Sequence, residues 1–125
     1  MQYILLIYDP EKTWAQMPKE ESQKLFTEYM HFTQDIKQTG KWLAGDALQP
    51  TSTATTVRVR GGKVQTTDGP FAETKEQLGG YYLIEAKDLD EAIGIAARIP
   101  SAKVGTIEVR PVVEMGQPAA TAVST

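Results

Sequence analysis

Tyr3-Ile4-Leu5-Leu6-Ile7-Tyr8 is a short apolar run closed by Asp9-Pro10. In an extended chain residues 3, 5 and 7 face one side, and residues 4, 6 and 8 face the other. Both sets are apolar, so this reads as a strand covered on both faces. The next clear signal has a period of 3.6. Leu25, Tyr29, Phe32 and Ile36 recur on one helical face, with Phe26, Met30 and Thr33 widening the stripe. Pro18 suits the first turn, Glu20 and Glu21 complement the helix dipole, and Gly40 is a natural terminator. The spacing thus predicts one long helix between Pro18 and Gly40.

Further strands are expected over residues 42–48, 53–60, 63–67, 80–85 and 106–113. Gly61-Gly62 joins the second and third of these as a two-residue hairpin. Asp88-x-x-Glu91 is a capping-box pattern opening a second helix, with Leu89, Ala92, Ile93 and Ala96 as its expected buried stripe and Ile99-Pro100 as its end. The order is strand, long helix, strand, hairpin, strand, helix, strand. This predicts an α+β, ferredoxin-like subunit: two βαβ halves with a hairpin insert, an antiparallel sheet, and two helices on one face. Two helices cover only one side of such a sheet. The doubly apolar first strand therefore predicts a homodimer that packs sheet against sheet.

The chain has 125 residues, enough for one domain and too few for two. It is read as a single domain over residues 1–115, followed by an uncharged, flexible C-terminal tail over residues 116–125. With no cysteine, disulfides, thiolate catalysis, iron–sulfur clusters and cysteine-held zinc are excluded. His31 is the sole histidine, so a multi-histidine metal site cannot form in one chain. On a helical wheel it falls about 120° from the apolar axis, beside Lys24, Glu28 and Asp35, and reads as a solvated imidazole. The net charge of −3 argues against a nucleic-acid partner. The opening run is too short for a membrane span and lacks the basic start of a leader, so no membrane partner and a cytoplasmic location are expected. Gly79-Gly80 precedes a strand and lacks the phosphate-loop pattern, and no cofactor is expected.

Thr67 to Glu76 is the most unusual segment. Asp68-Gly69-Pro70 is turn chemistry, and four charged side chains fall within the nine residues from Asp68 to Glu76. In one reading Phe71 pins the connection to the core and the charges are solvated. In the other a rigid loop presents Asp68, Glu73 and Lys75 over a cleft. Glu108 and Arg110 share one face of the last strand, and Arg58 with Arg60 could project to the same side. Such a group is either an ion pair at a dimer rim or the lining of a cavity for a polar or anionic molecule. Tyr8 and Tyr82 would add hydroxyls there if their strand parity matches.

Asp68-Gly69-Pro70-Phe71, Glu73-Thr74-Lys75-Glu76, Gly79-Gly80-Tyr81, Asp90-Glu91-Ala92 and Ile107-Glu108-Val109-Arg110-Pro111 form a collinear set that resembles the YCII-related family, in particular its DGPF branch. Gly40-x-x-x-x-Gly45 with Leu48 and the opening strand extend the resemblance over about residues 1–114. The resemblance implies a ferredoxin-like subunit of a dimeric α/β barrel with a cleft between sheets. The better-studied YCII branch looks like it uses a His–Asp pair, and His31 matches no such motif. The expected function is a small homodimer binding a polar or anionic small molecule in its cleft. Any catalysis would be acid–base work by carboxylates, with Asp68 or Glu73 as base and Arg110 or Lys75 stabilising negative charge; Glu108, Arg58 and Tyr8 complete the expected ligand contacts. The alternative, implied by relatives associated with extracytoplasmic-function sigma factors, is a non-catalytic regulatory module linked to sigma-factor-dependent transcription.

Overall fold

β1 (Gln2–Asp9) alternates as its sequence demands. Tyr3, Leu5, Ile7 and Asp9 are buried, while Ile4, Leu6 and Tyr8 keep partial exposure. The computed structural model describes residues 1–114; the expected tail, residues 116–125, lies outside the described residues. After β1 come α1 (Glu11–Gln16), α2 (Lys19–Gln38), β2 (Trp42–Ala47), the hairpin strands β3 (Thr55–Arg60) and β4 (Lys63–Asp68), β5 (Gln77–Glu85), α3 (Leu89–Ala97) and β6 (Thr106–Pro111). Short 3₁₀ turns at Thr51–Thr53 and Pro100–Lys103 complete the path.

Four strands form one antiparallel sheet in the order β2-β5-β1-β6. This order is consistent with the ferredoxin-like expectation. The hairpin is a separate two-stranded sheet, so Arg58 and Arg60 do not project from the main sheet as expected. Gly61 and Gly62 take φ of 59° and 75°, the left-handed pair that a two-residue hairpin loop requires.

Tyr3, Leu5 and Ile7 of β1 and Tyr82 and Ile84 of β5 pack against Phe32 and Ile36 of α2 and Ala92, Ile95 and Ala96 of α3. Each large apolar side chain buried in this layer contributes about 1.5–3 kcal/mol. Of the expected stripe of α2, Phe32 and Ile36 are buried and Leu25 and Tyr29 half-buried, while Phe26 and Met30, expected to widen it, are exposed; His31 is exposed as well. The Asp88 carboxylate accepts from the Glu91 amide at 2.9 Å, so the N-cap is real. The buried stripe of α3, however, is Ala92, Ile95 and Ala96, with Leu89 and Ile93 exposed. Ala92, Ile95, Ala96 and the following Ile99 keep an i, i+3, i+4, i+7 spacing that continues past the helix.

α1 is an element the sequence reading did not contain. It buries no side chain and has no side-chain cap. Tertiary bonds hold it: the Glu11 carboxylate accepts from the Thr51 amide at 2.7 Å and the Thr51 hydroxyl at 2.9 Å, and the Glu11 amide donates to Gln77 at 2.9 Å. The far face of the main sheet carries Ile4, Leu6, Tyr8, Tyr81 and Leu83, none packed against a helix.

Candidate functional site

A cavity of about 940 Å³ opens between α1, α2 and the β2–β5 side of the sheet. Its apolar walls include Ile7, Trp14, Ala15, Phe26, Trp42, Ala47 and Leu48. Phe26 is 65% exposed on α2 and lies at this cavity. Against the apolar walls stand the hydroxyl groups of Tyr29, Thr33 and Tyr82, the carboxylates of Asp9, Glu11 and Asp46, and the ammonium-bearing Lys12 and Lys37.

Asp9 is the least ordinary of these. It continues the buried alternation of β1 and is only 5% exposed. Its Oδ2 accepts from the Ser101 hydroxyl at 3.0 Å, and Ser101 in turn accepts from the Tyr29 hydroxyl at 2.5 Å. Among the described residues nothing donates to Oδ1. The pairing of β1 with β5 steps from Ile7↔Gly80 to Tyr8↔Leu78, leaving Gly79 as a bulge beside Asp9. A β-carbon at Gly79 would meet one atom, Asp9 Oδ1, at 3.4 Å. The absent side chain leaves that oxygen open. From the other side Gly105 lies so close that a β-carbon would overlap the Tyr8 carbonyl and stand 3.0 Å from Asp9 Cα.

Burial pushes the Tyr29 hydroxyl up to about 12, with the Ser101 bond opposing the shift. Tyr82 is raised by burial as well, and its hydroxyl shares a 2.8 Å bond with Thr33. Both hydroxyls therefore stay protonated at neutral pH. Trp42 Nε1 is buried without an acceptor. The Lys37 ammonium sits 4.5 Å from the centre of the Trp42 ring, a cation–π contact. Asp46 at the rim accepts from the Tyr81 hydroxyl at 3.0 Å, which raises that tyrosine. Among the described residues no group of three or more histidine or acidic side chains is arranged to hold a metal ion.

The residues singled out from sequence lie elsewhere. Glu108 and Arg110 form a 3.0 Å ion pair on the far face of the sheet, next to Leu6 and Ile4. Tyr8 shares that face while Tyr82 points to the helices, so their parity does not match. Arg58 is exposed on the hairpin, and Asp68, Glu73 and Lys75 are exposed at and after its end. Gly69, at φ 101°, makes the turn: its amide donates to Ala54 and its carbonyl accepts from Thr56. Phe71 is 80% exposed and pins nothing to the core. Of the expected set only Glu108 and Arg110 are brought together. In the sequence Asp9 only closes the first apolar run; its parity with Tyr3, Leu5 and Ile7 is the one sequence signal that it is buried.

These features define a small α+β domain with an open, largely apolar pocket and a buried carboxylate among its lining residues. The chain belongs to the YCII-related domain family, whose model matches residues 1–116. It is 38% identical over 113 residues to an uncharacterized protein of Rhizobium meliloti (strain 1021), covering 89% of this chain and 91% of that one. Its fold is similar to that of 5-chloro-2-hydroxyhydroquinone dehydrochlorinase from Burkholderia phenoliruptrix AC1100, solved in complex with 2,5-dihydroxybenzoquinone. The TM-score is 0.54 at 14% identity, over 90% of this chain and 94% of that one, a likeness of fold. No helix among the described residues is long and apolar enough to cross a membrane.

Proposed function

We propose that this chain is a small-molecule-binding subunit whose site is the cavity between α1, α2 and the β2–β5 side of the sheet. The observation that carries this reading is the Asp9 carboxylate, on a residue 5% exposed and bonded by Ser101 at Oδ2 alone, among the residues that line a cavity with largely apolar walls. A carboxylate oxygen left without a donor in a largely apolar surrounding is one that a ligand hydroxyl or other donor can satisfy. The dehydrochlorinase neighbour, solved with a small ring compound, is compatible with this use of the fold. The ligand is polar, and the carboxylate available for acid–base work on it is Asp9 rather than Asp68 or Glu73. A thermal-shift screen against a metabolite library tests the reading. Compounds that raise the melting temperature of the wild type should raise that of Ala47→Trp, which puts an indole into the cavity, much less or not at all. A library that shifts neither protein overturns it.

We also infer a homodimer of the dimeric α/β barrel kind, with the far sheet faces packed together. Ile4, Leu6, Tyr8 and Leu83 supply its apolar centre, and Glu108 with Arg110 its rim. Val57, Val59 and Val64 on one face of the hairpin, and Phe71 beyond it, are exposed. An isolated two-stranded hairpin is marginal in water, which favours its being covered in the assembly. Assignment to the DGPF branch rests on Asp68-Gly69-Pro70-Phe71 and the collinear residues that follow.

A further inference from the structure

We propose that the ligand is a neutral ring bearing a hydroxyl group, anchored by donation of that hydroxyl to Asp9 Oδ1 through the opening left by Gly79. This rests on the small-molecule reading of the cavity and narrows it to a chemical class.

Three observations select the class. First, Asp9 is 5% exposed, and Ser101 occupies Oδ2 alone. A buried carboxylate with a free oxygen favours a donor and repels an anion. Second, the walls beside it are aromatic and aliphatic, which suits a ring. Third, Lys12 and Lys37 line the cavity, and Lys37 already occupies a face of the Trp42 ring. Set against Asp9, Glu11 and Asp46 of the same lining, the two lysines bring its charge close to balance, which favours a neutral donor over an ion of either sign.

Gly79 makes the proposal separable from the general one. Its φ lies outside the left-handed region, and an added methyl would contact only Asp9 Oδ1. Gly79→Ala thus covers the acceptor while leaving most of the cavity as it is. Asp9→Asn is the second variant: with its carbonyl oxygen kept by Ser101, it turns an amide donor toward the cavity. The experiment titrates the full chain with three ring probes, phenol, benzoate and benzylammonium, at up to millimolar concentration by isothermal calorimetry. Phenol should bind the wild type best and lose about tenfold or more in Gly79→Ala, as for a lost hydrogen bond to a charged group. Asp9→Asn should lose phenol and gain benzoate. Benzoate or benzylammonium binding the wild type as tightly as phenol overturns the proposal, as does phenol binding that Gly79→Ala leaves unchanged, or no binding by any probe. In each of those cases the cavity reading is decided separately, by the library screen with Ala47→Trp.

Discussion

Ser101 Oγ donates a 3.0 Å hydrogen bond to Asp9 Oδ2, joining two buried residues 92 positions apart in the chain. Asp9 ends β1, and Ser101 lies in the 3₁₀ turn that leads into β6, which pairs with β1. The bond ties the turn after α3 to the sheet and supplies the donor that a buried carboxylate needs. Removing the hydroxyl in Ser101→Ala leaves Asp9 buried with no donor. The expected cost is about 1.5–3 kcal/mol, the range for a hydrogen bond to a charged group. Urea denaturation of the two proteins at neutral pH measures it.

Tyr29 links the same chain of bonds to pH. Its hydroxyl titrates at about 12 in the folded protein against an ordinary 10.0. Between those values the folded state keeps a proton that the unfolded state has lost, so stability falls as pH rises. The contribution is intact below pH 10 and declines by at most about 1.4 kcal/mol per pH unit above it. Tyr82, raised in the same direction, adds to the decline. Tyr29→Phe should flatten part of this alkaline slope, read from denaturation midpoints across that window, while losing about 1 kcal/mol at neutral pH with the Ser101 bond.

Gly105 is needed for closeness. A β-carbon there would overlap the Tyr8 carbonyl, a backbone atom with no room to move within the sheet. Gly105→Ala should cost at least about 2 kcal/mol, at the upper end for overpacking. Thermal denaturation followed by circular dichroism checks this, and a variant as stable as the wild type would show that the β1–β6 edge yields easily.

The apolar far face gives a prediction about assembly. The wild type should sediment as a dimer at micromolar concentration. Leu6→Arg places a charge among Tyr81 and Glu108, the pairing partners of Leu6, and should sediment as a monomer with unchanged helix content. A monomeric wild type contradicts the dimer.

What the sequence disclosed is what local physics determines. The period of α2, the paired glycines of the hairpin and the Asp88 cap each act within a few residues, and each is found where its pattern places it. α1 has no such signal, since it buries nothing and depends on Thr51 and Gln77. The shifted stripe of α3 was hidden because Ile93 and Ile95 are equally apolar, and only packing against the sheet selects Ile95. The candidate site was illegible for a related reason. Charge density is greatest from Asp68 to Glu76, yet Asp68, Glu73 and Lys75 are exposed. Asp9 acquires its role from Ser101 and from a bulge at Gly79, which a one-dimensional reading cannot bring together.

The most direct test of the central claim is a ¹H–¹⁵N spectrum recorded while a compound that stabilises the wild type is added. The account predicts that the Trp42 indole Nε1–H and the Gly45, Gly79 and Gly80 amides shift together and saturate, while the amides of Arg58, Asp68, Glu108 and Arg110 stay in place. Saturating shifts on the far sheet face or the hairpin, with the Trp42 indole unmoved, would contradict it.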